Sequence, residues 1–142
     1  MIFTVRVDQV DTFWPMIADG IDKAVKATGG DITAGYLWQL CRSGQAFLVV
    51  SQAENRIEAA SVWRTETWSS GVKLRCLAAW GEAMVNWLDP MRAHVAGLQR
   101  SCGANAVIAE GREGWRRTFP EARPVRTLFE IDLNNVDLPV GR

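Results

Sequence analysis

Three stretches decide the fold: Ala46–Ser51 (AFLVVS), Ile57–Thr67 (IEAASVWRTET) and Val72–Trp80 (VKLRCLAAW). The first is a near-continuous apolar run, which suits a buried strand. The second is a longer strand that sets Ile57, Ala59, Ser61, Trp63 and Thr65 on one face. Glu54-Asn55 and Ser69-Ser70-Gly71 interrupt the runs as turns. Three consecutive strands with connections this short predict an antiparallel meander.

Upstream, Ile2–Val7 (IFTVRV) alternates and is rich in β-branched residues, so it predicts a first strand. Asp8 or Asp11 then caps a helix whose apolar face is Phe13, Trp14, Ile17, Ile21 and Val25, with Pro15 in its first turn and Thr28-Gly29-Gly30 at its end. Asp31 is expected to cap a second helix through Ile32, Tyr36, Leu37 and Leu40, stopping at Ser43-Gly44. Downstream, Gly81–Trp87 forms a loop running into a helix that opens at Asp89-Pro90, carries Met91, Val95, Leu98 and Cys102 as its stripe, and closes at Gly103. Ala106–Glu110 is a short buried strand, and the helix before it allows a parallel pairing by the right-handed crossover rule. A short helix in Gly111–Phe119 and a last strand Thr127–Leu133 (TLFEIDL) complete one mixed α/β (α+β) domain over residues 1–133, with 134–142 as a polar tail. The order is β-α-α-β-β-β-α-β-α-β.

Composition narrows the function. The 142 residues are 48% hydrophobic and carry 16 basic and 16 acidic side chains, for a formal net charge of zero. That balance argues against a generic electrostatic grip on nucleic acid or on an anionic membrane. Cys41, Cys76 and Cys102 form no CxxC pair and sit in apolar contexts, which predicts buried reduced thiols and a cytoplasmic protein. His94 is the lone histidine, so no His-based zinc site is expected. Met1–Val10, with Arg6 and Asp8, does not read as a signal peptide, and no apolar run approaches membrane-spanning length. There are seven tryptophans to one tyrosine, and tryptophan serves both cores and interfaces.

The order of elements resembles the GNAT fold of acyl-CoA N-acyltransferases, and more narrowly the small GNAT-like proteins of tailed phages and prophages. The resemblance covers about residues 1–133 and is carried by Gly30-Asp31-Ile32-Thr33, Gln45–Val50, Arg56–Ala60, Gly111–Arg117 and Leu128–Leu133. It implies a mixed, mainly antiparallel sheet flanked by helices. It also implies a cleft for acyl-CoA where the strand after the meander splays away from its neighbour.

The family's chemistry has three needs. A glycine-rich turn of pattern Arg/Gln-x-x-Gly-x-Gly/Ala binds pyrophosphate through backbone N–H groups at a helix N-terminus. The matching residues here, Trp80, Gly81, Glu82, Ala83, Met84, Val85, Asn86 and Trp87, hold one glycine, no arginine and an added negative charge. They are either a modified acyl-CoA turn or an ordinary strand-to-helix connection. A general base must reach the amine proton, and Glu66 and Glu82 are the candidates by position, each with a solvated surface glutamate as its alternative. A tyrosine acid near the last short helix is missing: Gly114-Trp115-Arg116-Arg117-Thr118-Phe119 stands there, and Tyr36 lies in the second helix. Trp63, Trp68, Trp80 and Trp87 flank the expected cleft and either fill it or pack the sheet.

Arg112, Trp115 and Arg116 form a candidate partner-binding patch, with an amphipathic turn as the plainer reading. With Arg117, Arg123, Arg126 and Phe119 they give only a thin version of a single-strand nucleic-acid site. The resemblance thus implies either a GNAT-like binding or virion-assembly protein with a phage or host protein as partner, or an active N-acyltransferase using acetyl-CoA or another acyl-CoA on an amine. A phage factor that blocks a host protein is a third reading. The setting is the bacterial cytoplasm or a virion.

Overall fold

The computed structural model describes residues 1–82, 86–111, 114–137 and 139, with the backbone alone for 114 and 115. The chain divides into two units, Met1–Arg112 and Glu113–Arg142.

The first unit is built on a five-stranded sheet in the order β1-β2-β3-β4-β5. Its strands are β1 (Ile2–Thr4), β2 (Phe47–Ala53), β3 (Arg56–Trp68), β4 (Gly71–Gly81) and β5 (Ala106–Ala109). The first four pair antiparallel, as the meander predicts. β5 pairs parallel with β4, joined to it by the crossover helix α3 (Leu88–Ser101). Two helices precede the meander, α1 (Val10–Ala27) and α2 (Ala34–Arg42).

Side-chain alternation divides the core into two layers. Leu48, Val50, Ala60, Val62 and Ala78 pack with Trp14, Ile17, Ile21 and Val25 of α1 and Leu37 and Leu40 of α2. The opposite parity in β2 and β3 buries Val49, Ser61 and Trp63, and α3 contributes the buried Met91 and Val95. The His94 Nε2 and Thr4 Oγ1 atoms, 2.8 Å apart, tie α3 to β1. From Ile57 to Trp63 every β3 residue is buried, so this central strand is covered on both faces rather than on one.

Several boundaries move from the sequence expectation. β1 stops at Thr4, and a 3-10 turn over Val7–Gln9 leads into α1. Pro15 lies in the second turn of α1, where it removes the bond that would run to the Asp11 carbonyl. The cap of α2 is Thr33, whose Oγ1 accepts from Tyr36 N at 3.1 Å; Asp31 lies before it. Tyr36 points outward, and Cys41 takes the buried place beside Leu37 and Leu40. α3 begins at Leu88 with Trp87 as its cap, which puts Pro90 at the third helical position, still among donors a helix leaves unbonded.

In the second unit, α4 (Gly114–Thr118) falls in the expected short helix. The expected strand over 127–133 is not formed: the segment makes no ladder, and Leu128, Phe129, Ile131 and Leu133 are exposed. Its alternation is present, but alternation alone cannot supply a partner strand. The described residues after 133 are exposed, with a turn closed by Val136 N donating to Leu133 O at 3.1 Å.

Candidate functional site

The site is set by where β5 leaves β4. Lys73 to Cys76 pair with Ala106 to Ala109, and β4 then runs on to Gly81 while β5 has ended. On that side of 77–81 no strand pairs with β4 among the described residues. At the same point the β3–β4 register shifts between Val62 and Trp63, leaving Leu77 as the extra residue of a bulge. A bulge bends a strand and increases its twist, so β4 changes course where its pairing with β5 ends. Every second peptide of 77–81 turns its N–H and C=O toward this gap, where an extended ligand can bond to it.

The turn beyond β4 is closed by the chain's own side chains. Glu82 N donates to Glu58 O at 2.8 Å, continuing the β3 pairing by one residue. The buried Trp87 ring lies so close to Gly81 that a methyl group there would overlap it, and its indole N–H donates to Glu82 O at 2.6 Å. Trp80 swings to the other face, where its ring sits over Gly20 of α1 and excludes any larger residue there. Helix α3 leaves the N–H groups of Leu88 and Asp89 without an intrahelical acceptor, and the side chain of its cap residue Trp87 makes no capping bond. The end is electropositive by its dipole, but Asp89 lies in its first turn and the Glu82 carboxylate is exposed at the turn before it. Glu82 has Arg56 as a counter-ion at 3.8 Å, with both side chains 62% exposed.

No protein-family profile and no curated protein matches the sequence. Solved structures do. A GCN5-related N-acetyltransferase from Ralstonia eutropha JMP134 superposes with a TM-score of 0.69 at 9% identity, over 93% of this chain and 97% of that one. A predicted acetyltransferase from Clostridium acetobutylicum, solved with acetyl-CoA, gives 0.67 at 9% identity over 94% and 96%. An aminoglycoside acetyltransferase from an uncultured soil metagenomic sample gives 0.65 at 14% identity over 94% and 95%. This chain has the GNAT fold.

Within the GNAT frame the candidate bases are not brought together. Glu66 lies on β3 opposite Lys73, at the end of β4 where β5 is still paired. It accepts from Arg75 Nη1 at 2.8 and 3.0 Å and from the Trp68 indole at 2.8 Å. Arg75 also pairs with Glu110, so one guanidinium, 16% exposed, joins two carboxylates. Burial pulls the Arg75 pKa down, but the bonds to Glu66 and the charges of Glu66 and Glu110 outweigh it and hold the group above its ordinary value. Glu82 lies at the other end of β4, beside the gap.

Sequence reasoning missed Glu58. It is a buried carboxylate, 5% exposed, that accepts from Ser51 Oγ at 2.9 Å. Its backbone holds the turn at Glu82, so it borders the open end of the sheet. The β2–β3 register shift between Ser51 and Gln52 leaves Glu58 as the extra residue and turns it inward. An acidic residue inside an otherwise apolar IEAAS run was the available signal.

The tryptophans mostly pack. Trp14, Trp63 and Trp87 are buried, and Trp38, Trp68 and Trp80 are half-buried. The Trp63 indole donates to Ser61 Oγ at 2.7 Å. Burial pushes the Cys41 and Cys76 thiols up to about 12, so neither is a ready nucleophile; all three cysteines are free, and Cys102 is half-buried. Among the described residues no three His, Cys, Asp or Glu side chains group for a metal, and no helix is long and apolar enough to cross a membrane. Ala83, Met84, Val85 and Arg112 lie outside the described residues, as does the side chain of Trp115. Asn86 and Arg116 are exposed.

Proposed function

We propose that this GNAT-fold chain acts by binding a protein partner and has little or no acetyltransferase activity, its acyl-CoA turn no longer receptive to an anion. The carrying observation is two carboxylates in this stretch, Asp89 in the first turn of α3 and the exposed Glu82 just after β4, where a pyrophosphate would need none. Trp87 adds to this by filling the space over Gly81 and occupying the Glu82 carbonyl. Negative charges near a bound anion lower its affinity, and Glu82 has Arg56 as a counter-ion at 3.8 Å with both side chains 62% exposed. In this reading Arg116, with Arg112 and Trp115, belongs to the partner surface, and the setting is a phage particle, its assembly, or the host cytoplasm.

Calorimetric titration with acetyl-CoA and with free CoA tests it. The reading expects no binding at millimolar ligand. Micromolar binding overturns it and brings forward a second reading, an acyl-CoA-dependent N-acyltransferase acting on an amine of a small molecule or protein.

A specific observation favours that second reading: the bulge at Leu77 and the open side of 77–81 keep the place where a thioester arm would bond to β4. The neighbour from Clostridium acetobutylicum is solved with acetyl-CoA. In that case Glu82, Glu66 or the buried Glu58 is the base, and single replacement by Gln sorts them by loss of turnover.

A further inference from the structure

An open cavity of about 630 Å³ lies where α1 begins and α2 ends, lined by Arg6, Val7, Asp8, Asp11 and Arg42. It belongs wholly to the first unit and stands at the opposite end of β1 from the turn at Gly81. Across the sheet, Gly81 is level with Ala59, Ser51 and Ile2, the start of β1. The cavity begins past the other end of that strand, where Val5 N donates to Leu48 O at 2.7 Å and the 3-10 turn over Val7–Gln9 follows.

Two cations and two carboxylates line it, and they are held differently. The Arg42 guanidinium lies 4.5 Å over the Trp38 ring and donates to Asp11 Oδ2 at 3.3 Å. Asp11 is fixed in turn by the Trp38 indole, which donates to its Oδ1 at 2.8 Å. Stacking on an indole orients the guanidinium plane and leaves its edges for other acceptors. Arg6 and Asp8 pair at 2.7 Å with side chains 77% and 60% exposed, and a pair so exposed costs little to open. Among the described residues, Arg6 and Arg42 each donate from one amino group only, and Asp8 accepts at one oxygen only. Val7, 52% exposed, adds an apolar wall.

This balance of charge selects the ligand. A simple anion or cation would meet as many like charges as opposite ones. A small molecule that carries both signs a few ångströms apart can meet each with its opposite. A peptide end offers only one of the two. We propose that this cavity binds a free α-amino acid with an apolar side chain. Its carboxylate meets Arg42, its ammonium meets Asp8 and Asp11, and its side chain lies against Val7. Arg6 leaves Asp8 as the ammonium arrives and turns to the ligand carboxylate. The inference is independent of whether the turn at Gly81 binds CoA.

The test titrates the full chain with L-leucine and follows its backbone amide resonances. Saturable shifts at 6–11 and 38–44 with a millimolar midpoint are expected. N-acetyl-leucine lacks the ammonium and leucinamide lacks the carboxylate, so each should bind about 5-fold more weakly, the size of one exposed ion pair. Arg42→Gln and Asp8→Asn, each at an exposed side chain, should weaken leucine by a similar factor while the amide spectrum outside the two segments stays unchanged. The absence of saturable shifts at tens of millimolar leucine overturns the proposal. Equal binding of either blocked analogue also overturns it, as does an affinity unchanged by either substitution. Shifts confined to 77–82 overturn it too, since the amino acid is then taken at the open end of β4.

Discussion

Between Lys73 and Cys76, β4 is held on both sides, by β3 and by β5; between Leu77 and Gly81 it keeps β3 and has no strand on its other side among the described residues. The paired end buries Leu74 completely and spends its polar groups on itself, with Arg75 between Glu66 and Glu110. The other end carries the bulge, the half-buried Trp80, the exposed Ala79 and the exposed Glu82. One strand is thus paired on both sides for part of its length and on one side for the rest. The difference follows the neighbour: β5 pairs with 73–76 and ends before 77, and the charged residues Lys73 and Arg75 lie at the paired end while 77–81 carries none. Stability should therefore reside at the paired end and ligand response at the open one.

Leu74→Ala should break the paired end with the largest effect. The side chain is fully buried in a strand bonded on both sides, so a cavity would be hard to close by local collapse. A loss of about 2–5 kcal/mol is expected, read as a lower urea midpoint at unchanged slope. A loss below about 1 kcal/mol would mean that this end is no better packed than the stretch 77–81.

Gly81→Ala probes the junction between strand and turn. The added methyl group meets the Trp87 ring, so either the indole leaves its place or the turn shifts. Overpacking of this kind costs about 1–3 kcal/mol. The expected signature is local: a change in tryptophan fluorescence and faster exchange at the N-terminal turn of α3, with 71–76 still protected. Global loss of protection would show that the turn is part of the core and not a separable lip.

How far all this was legible follows the same division. The meander was readable because its turns are marked by Glu54-Asn55 and Ser69-Ser70-Gly71 and its strands by their β-branched runs. The stripe of α1 was readable because Trp14, Ile17, Ile21 and Val25 repeat at the helical period. The cap of α2 was not, since Asp31 and Thr33 both offer an oxygen and only backbone geometry chooses between them. The strand expected at 127–133 shows the limit plainly: side-chain alternation lies in the sequence, whereas pairing depends on what stands alongside. At the site, Gly81 and Glu82 were singled out by their mismatch with a CoA turn. The closure by Trp87 could not be, because it depends on where the chain returns its indole over Gly81, and the burial of Glu58 could not be, because it depends on a single-residue shift between β2 and β3.

Glu82→Gln is the smallest perturbation and the sharpest test of the open end. The side chain is exposed and its ion pair with Arg56 is long and half-solvated, so unfolding stability should move by less than about 0.5 kcal/mol. The substitution keeps the shape of the side chain and removes one negative charge from the stretch between β4 and α3. If that charge is part of what keeps an anion away, CoA should gain about 2–5-fold in affinity, the size of one charge acting on a helix terminus at the surface. The gain should shrink with added salt, because both groups are in water. Titration of the wild type and of Glu82→Gln at two salt concentrations separates the causes. An affinity that rises and responds to salt assigns the block to charge. One that stays absent in both assigns it to the indole of Trp87 over Gly81, and Trp87→Ala then becomes the variant in which binding should appear.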